Sequence, residues 1–372
     1  MPSLSVIRLG AVDGLVMTNA FVALAESVSR GERGDTLVIC HPSAPFANAG
    51  FHQEVEREID IEYCRTHSIP LVRRVIGGGA IADGPWEQDY FLIASLDSGA
   101  TSGTLKDYYG RMLEPLASVL KHLGVNAERQ GLNDLAVGGR KISANGAVDI
   151  DRARVLTGDI LLDLNIEAMS GILKVPDEKF RGKVADSMSK YLTSVREQLG
   201  RIPERREVEE LLIESFAEAY DGHSAGSLTG LEEERIGELV RERGSDDWIF
   251  ERSASGGRMG ARRGRIVKIK EGMFLCEYDR KAQKLVRVTM LVDNGMIGEV
   301  AISGDFFTVP VGWPLSNLEK RLAGLRLDEG VVLNAVRSVL KEEGVTILGA
   351  TAEDISATII EAVAHPVIVP MD

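Results

Sequence analysis

The sequence predicts a two-domain protein of the α/β (α+β) class, with a large domain over residues 1–255 and a small α+β domain over residues 256–372. Three observations predict it. The chain has 372 residues, more than one typical domain needs. Apolar runs of helical spacing alternate with β-branched runs through its first part. A stretch rich in Gly, Ser and charge, Asp221–Gly264, then precedes an alternating β-meander at Arg265–Ile302. Apolar residues make up 44% and charged residues 27%, which excludes a wholly disordered or collagen-like chain. The net charge of −13 argues against a nucleic-acid partner. No window approaches the roughly 20 apolar residues of a membrane span. Leu15–Ala25 is apolar, but Asp13 precedes it, Asn19 interrupts it and no cleavage-like site follows. A cytoplasmic protein is expected.

Taken in order, an early helix is expected at Asp13–Ser29 and a strand at Thr36–Cys40. A Pro/Ala/Gly-rich loop follows at His41–Phe51, then a charged helix at Gln53–Thr66. Leu71–Ile76 is a β-branched run that ends in three glycines, and Tyr90–Ser95 is a further strand. Leu105, Tyr109, Met112, Leu116, Val119, Leu120 and Leu123 recur at helical spacing, with Gly124 as the stop. A sheet-rich segment spans Asn133–Asn165. Helices are expected at Asp177–Leu199, Pro203–Tyr220, Leu315–Leu325 and Gly330–Glu343.

Two motifs could carry chemistry. In Val72-Arg73-Arg74-Val75-Ile76-Gly77-Gly78-Gly79-Ala80-Ile81-Ala82-Asp83-Gly84, the glycines let a ligand lie on exposed N–H groups. The two arginines offer planar, bidentate donors to an anion. The plainer alternative is a glycine-rich hairpin with surface arginines, since neither a P-loop nor a GxGxxG pattern is present. In Asn133-Asp134-Leu135-Ala136-Val137-Gly138-Gly139-Arg140-Lys141-Ile142-Ser143-Ala144, two glycines suit a tight hairpin turn. Lys141 then opens the return strand, with Ser143 on its own face and Ile142 and Ala144 on the other. Such a lysine can hold a phosphate or polarise a carbonyl, or it can be an edge lysine that blocks aggregation.

The remaining candidates are weaker. Histidines 41, 52, 67, 122, 223 and 365 form no metal or HExxH spacing, and adjacent strand residues Cys40 and His41 point to opposite faces. Three cysteines (40, 64, 276) with no CxxC spacing point to a reducing compartment and away from a Cys-built zinc site. Arg252, Arg258, Arg262, Arg263, Arg265, Lys268 and Lys270 form a basic cluster, either a solvated linker or a patch for an acidic partner.

Together the two motifs resemble those of the lipoate–protein ligase family, within the biotin/lipoate ligase superfamily. Arg73-Arg74-Val75-Ile76-Gly77-Gly78-Gly79-Ala80-Ile81 matches its first signature. Asn133-Asp134-Leu135 and Arg140-Lys141-Ile142-Ser143 match its second. Asn19, Gly50-Phe51-His52-Gln53, Gly158-Asp159-Ile160-Leu161-Leu162-Asp163 and Lys179-Phe180 also fit. Asn294-Gly295-Met296-Ile297 and Gly304-Asp305-Phe306-Phe307 look like the family's small accessory domain.

The resemblance implies a large catalytic domain with a mainly antiparallel mixed sheet flanked by helices, plus the accessory domain. It implies that lipoate (or octanoate) and ATP with Mg2+ give an acyl-adenylate, which a lysine of a lipoyl domain or glycine-cleavage-H-like carrier then attacks. Lys141 would be catalytic. Arg73, Arg74, Gly77, Gly78, Gly79, Ala80, Ile81, Ala82, Asn133, Asp134, Lys141 and Ser143 would bind ATP or the adenylate, and Asp134 would be a magnesium ligand. Four departures stand out: Ala82-Asp83 for His-Asp, Thr157-Gly158-Asp159 for His-Gly-Thr, Ser143-Ala144-Asn145-Gly146-Ala147 for Gly-Ser-Ala-Gln, and Leu132 for Arg. They keep the adenylate-anchoring Arg and Lys and remodel the pocket wall, which bears on acyl or acceptor choice. A transferase of the same fold needs a nucleophilic cysteine, and Val125–Leu132 has none. A non-catalytic lipoyl- or nucleotide-binding protein is the rival from another class.

Overall fold

The computed structural model describes residues 3–175, 181–251 and 265–364. They group into two compact units, one drawn from Met1–Asn48, Asp60–Val72 and Ile81–Trp248, the other from Ala49–Ile59, Arg73–Ala80 and Ile249–Asp372. The expected boundary near 255 lies outside the described residues, as do Lys179-Phe180 and Arg252, Arg258, Arg262 and Arg263 of the basic cluster.

The chain begins with a strand that sequence reasoning did not anticipate, β1 (Leu4–Val12), because Arg8 and Gly10 interrupt its apolar pattern. α1 (Gly14–Ser29) follows, its first turn capped by Asp13, which accepts from the Leu15 N–H at 2.8 Å. After β2 (Thr36–Pro42), the expected loop contains β3 (Phe46–Ala49). The charged helix expected at Gln53–Thr66 is two short ones, α2 (Val55–Glu58) and α3 (Ile61–Thr66). Ile59 is extended, and Asp60 caps α3 by accepting from the Tyr63 N–H at 3.0 Å.

β4 (Leu71–Arg73) stops short of the expected Ile76. β5 (Ile81–Asp83), β6 (Glu87–Ser95) and α4 (Leu105–His122) follow, the helix opened by a Thr104–Asp107 capping box. β7 (Glu128–Gln130), β8 (Asp134–Val137), β9 (Arg140–Ile150) and β10 (Ala153–Leu161) form the sheet-rich segment, closed by α5 (Ile166–Ile172). The single helix expected at Asp177–Leu199 is broken into α6 (Arg181–Tyr191) and α7 (Val195–Leu199). Between them Thr193 donates its N–H to the Lys141 carbonyl at 2.8 Å, and Ser194 caps α7. The pairing with β9 wins over helix continuity there. α8 (Arg205–Ala217), β11 (His223–Ala225), α9 (Gly230–Arg243) and α10 (Asp246–Ile249) complete this part of the chain.

Eight strands of the first unit form one sheet in the order β11-β1-β2-β6-β10-β9-β8-β7. Its first three strands run parallel and every other pairing is antiparallel, so the sheet is mixed and mainly antiparallel. Leu116 and Leu120 of α4 and Leu212 and Phe216 of α8 bury one face against Ile39, Tyr90 and Leu156. α1 covers the opposite face, with the Phe21 and Phe91 rings 5.2 Å apart.

The second unit is built on an antiparallel meander of β12 (Arg265–Lys270), β13 (Met273–Lys281), β14 (Leu285–Asp293) and β15 (Met296–Gly304). β16 (Phe307–Val309) pairs with β17 (Thr346–Leu348), and α11 (Ser316–Leu322), α12 (Glu329–Glu342) and α13 (Ala352–Ala364) supply the helices. Val288, Met290 and Ile302 of the sheet share a core with Leu318, Val336 and Ile359. The α2 segment is fixed to this sheet by charge. Arg287, with a side chain 7% exposed, pairs with Glu58 and, at 3.0 Å, with Asp279. Glu54 accepts from the Ser303 hydroxyl at 2.6 Å. Removing one member of such a buried cluster leaves the others uncompensated. Arg287→Ala is therefore expected to cost about 3 kcal/mol, measured by denaturant unfolding, and an unchanged midpoint would contradict this role.

Candidate active site

The second signature lies wholly in the first unit. Gly138 (φ 56°) and Gly139 (φ 80°) form the two-residue turn between β8 and β9, a geometry that excludes most side chains. The return strand then slips: Lys141 is opposite Ala136, but Ser143 is opposite Leu135 and Ala144 opposite Asp134. This β-bulge overturns the expected alternation. Lys141 shares its face with Asp134 and Ala144, whereas Ser143 points with Ile142 and Leu135 into the buried side. Simple period-2 counting fails because the extra residue absorbs one step.

The bulge brings the Lys141 Nζ to 2.8 Å from Asp134 Oδ2 and 5.3 Å from the centroid of the Tyr191 ring. Burial penalises the ammonium, but the charge and hydrogen bond of Asp134 more than offset this, so the lysine's pKa is held above its ordinary value. It is a charged donor in a partly desolvated setting. Asp134 Oδ2 is thus engaged by a cation, and among the described residues no three His, Cys, Asp or Glu side chains group to hold a metal ion.

Beneath the hairpin lies a polar network that the motifs did not announce. The Tyr90 hydroxyl donates to Asn145 Oδ1 at 2.5 Å, and Asn145 Nδ2 donates to the Asn133 carbonyl at 3.0 Å and to Ser143 Oγ at 3.1 Å. Asn133 returns a bond to the Asn145 carbonyl. Asn133 and Ser143, expected to touch the adenylate, are members of this network, and Ser143 is fully buried. Gly158 makes room for it: a Cβ there would lie 2.5 Å from the Tyr90 hydroxyl and collide with Asn145.

On the other face, Asp159 is directly opposite Asp89 in the β10–β6 register. Asp159 Oδ1 accepts from the Ala144 N–H at 2.7 Å, closing the β9–β10 ladder. Burial, reinforced by Asp83, pushes the Asp159 carboxyl up to about 7 despite the Ala144 N–H and Lys141. Burial and neighbouring acids raise Asp89 and Glu87 as well. The sequence signal was available, since Asp159 stands where the related motif has Thr and Asp89 adjoins an apolar run.

Most of the first signature lies in the second unit: Arg73 to Ala80 belong there, and Ile81 and Ala82 to the first unit. The two arginines have different surroundings. Arg73, 1% exposed, donates to the carbonyls of Ile249 (2.9 Å) and Phe51 (2.7 Å), which makes it a brace buried in the fold. Arg74 is half-buried and donates from Nη2 to the carbonyls of Gly77 (2.9 Å) and Gly79 (2.8 Å), holding the glycine turn in shape.

The glycines divide in the same way. A Cβ at Gly77 would lie 2.5 Å from the Phe306 carbonyl oxygen, and Gly78 has φ 97°. Gly79 faces open space. Gly77 is therefore required by packing and Gly78 by its backbone conformation. In the first unit, Ile81 is exposed and Ala82 is buried on β5 opposite Ala47.

Two outcomes are expected. Gly158→Ala should destabilise by roughly 2 kcal/mol through overpacking, and a fold as stable as wild type by thermal unfolding would contradict the network. For Asp159, the folded-state pKa lies above the unfolded value, so the native state holds more protons between about pH 4 and 7 and stability falls as pH rises through that window. Unfolding from pH 4 to 8 should show a decline to which Asp159 contributes on the order of 4 kcal/mol, smaller by that share in Asp159→Asn, where Asp89 and Glu87 still contribute; parallel curves for the two proteins would contradict it.

Comparison with known proteins adds the lineage. Residues 20–217 match the family model of the lipoyl protein ligase A/B catalytic domain, and residues 285–359 match that of the bacterial lipoate protein ligase C-terminus. Lipoate–protein ligase 1 of Staphylococcus aureus is 27% identical over 286 residues, covering 75% of this chain and 78% of that protein. Octanoyltransferase LipM of Moorella thermoacetica is also 27% identical, over 242 residues, covering 60% of this chain and 88% of that protein. The solved bipartite lipoate protein ligase of Thermoplasma acidophilum, described with its E2 lipoyl domain, has the same fold at TM-score 0.60 and 24% identity, covering 67% of this chain and 97% of that one. With its catalytic and C-terminal models both matched, the chain belongs to the lipoyl protein ligase A/B family of ligases and octanoyltransferases.

Proposed function

We propose that the protein is an ATP-dependent lipoate–protein ligase, which activates lipoate or octanoate to an acyl-adenylate with release of pyrophosphate and passes the acyl group to a lysine of a carrier protein. The observation that carries this reading against a transferase is the state of the thiols. A transferase route needs a thiolate to accept the acyl group. Cys40, Cys64 and Cys276 are all free, 0–1% exposed, and burial pushes each thiol up, Cys64 and Cys276 to about 11. The match to a ligase C-terminal model supports the same choice.

In this reading Lys141 is the catalytic cation. Its ammonium contacts the acyl carbonyl and the phosphate and offsets the charge that develops as the anhydride forms and breaks, an effect of about 3 kcal/mol per well-placed donor. Arg74 and the Gly79 backbone keep the phosphate-binding role that their signature implies. Magnesium would enter with the nucleotide, since its shell is met largely by phosphates and water, and its chemistry is to neutralise the departing pyrophosphate. The acceptor is a lipoyl domain or a glycine-cleavage-H-like carrier, and three free cysteines suit a reducing, cytoplasmic setting.

Lipoate-dependent ATP–pyrophosphate exchange tests the reading. Wild type should exchange, and Lys141→Ala should lose on the order of 10²-fold with an unchanged circular dichroism spectrum. Absence of exchange in wild type, with acyl transfer from a thioester donor, would instead make the protein a transferase. Absence of both would make it a binding protein.

A further inference from the structure

The mechanism above gives no work to the acids on the α1 side of the first unit's sheet. Asp89 and Asp159 are directly opposite across neighbouring strands, a placement that is unfavourable for two like charges unless a cation or a proton joins them. Among the described residues the nearby cations make their hydrogen bonds elsewhere, although Arg205 attracts Asp89 through space. Lys141 is held by Asp134. Arg205 donates to the carbonyls of Pro85 and Glu87 and to Gln88 Oε1. Asp83 accepts from Asn48 Nδ2 at 2.7 Å, and Glu87 accepts from the Gly84 N–H at 3.1 Å. Cys40, opposite Asp89 on β2, is buried and its thiol is raised. Among the described residues, Asp89 Oδ2 is buried without a hydrogen-bond partner, in a residue only 8% exposed. Asp159 retains some exposure, and among the described residues its Oδ2 accepts no hydrogen bond. The pair has the features of a receiver for an incoming ammonium.

We propose that Asp159 is the general base of the transfer half-reaction, taking a proton from the acceptor lysine, and that Asp89 helps to hold that lysine's ammonium. The proposal rests on the ligase reading. The acceptor arrives as R–NH3⁺. One proton passes from nitrogen to the Asp159 carboxylate, and the freed lone pair forms the C–N bond at the acyl carbonyl. The bond from that carbon to the phosphate oxygen breaks, and its electron pair leaves with AMP. The surplus proton on nitrogen goes to the departing phosphate oxygen, leaving the amide, AMP and a protonated Asp159. A carboxyl raised to about 7 is ionised in useful amount at neutral pH and is a stronger base than an ordinary aspartate.

The test supplies preformed lipoyl-adenylate to the full-length enzyme, so that activation is bypassed, and compares two nucleophiles. One is the lysine of a purified lipoyl domain. The other is hydroxylamine, which is neutral at pH 7 and needs no base. Asp159→Asn can still accept the Ala144 N–H and should fold. It should lose on the order of 10²-fold in acylation of the domain, lose the rise in rate through about pH 7, and fall much less with hydroxylamine. Asp159→Glu should regain part of the loss, and Asp89→Asn should raise KM for the domain more than it lowers kcat. Wild-type transfer rates and pH profile in Asp159→Asn, or equal losses with both nucleophiles, would overturn the proposal. Failure of the wild-type enzyme to acylate the domain from the adenylate would overturn the ligase reading and the base together.

Discussion

A charged lysine kept under partial burial is the constraint on which the first unit's site depends. An ammonium leaves water at a cost, and that cost is met here by one carboxylate, Asp134, at 2.8 Å. The arrangement requires both residues to lie on one face of a hairpin. Only the bulge at Ile142–Ser143 allows this while Ile142 stays in the core. The backbone of Lys141 is fixed from a distant part of the chain, because Thr193 interrupts what would have been one helix to bond its carbonyl. Turn, bulge and broken helix thus serve the position of a single amine.

Support for that position comes from polar groups as well as apolar ones. The Tyr90–Asn145–Asn133 network satisfies donors and acceptors that would otherwise be costly under the hairpin. It also holds the second signature to the central strand β6. In the second unit the same economy applies to the glycine turn, where Arg74 bonds two of the turn's own carbonyls and Arg73 is enclosed by backbone acceptors. Adjacent arginines of one motif thus do different jobs.

Local signals were legible in the sequence and pairings between distant segments were not. Gly138-Gly139 announced the turn, Lys141 its return strand, and the helical spacing around Leu116 and Leu120 the helix beneath the sheet. The bulge was invisible because a register slip is decided by the partner strand. Arg73 could not be told from Arg74, since what buries it is the carbonyl of Ile249, far along the chain. The Asp89–Asp159 pair was missed because strand order, not sequence distance, brings those residues together. No helix was expected at α9 because its exposed face is rich in Glu and Arg, although Thr229 and Glu232 form a capping box at its start.

A ligase and a transferase of this fold differ in the acyl donor they use. Intact-mass spectrometry of a lipoyl domain incubated with this protein decides it most directly, with lipoate plus ATP in one reaction and an octanoyl thioester carrier without ATP in the other. Acylation of the domain lysine in the first reaction and none in the second is the predicted result. Acylation from the thioester alone, with none from lipoate and ATP, would contradict it.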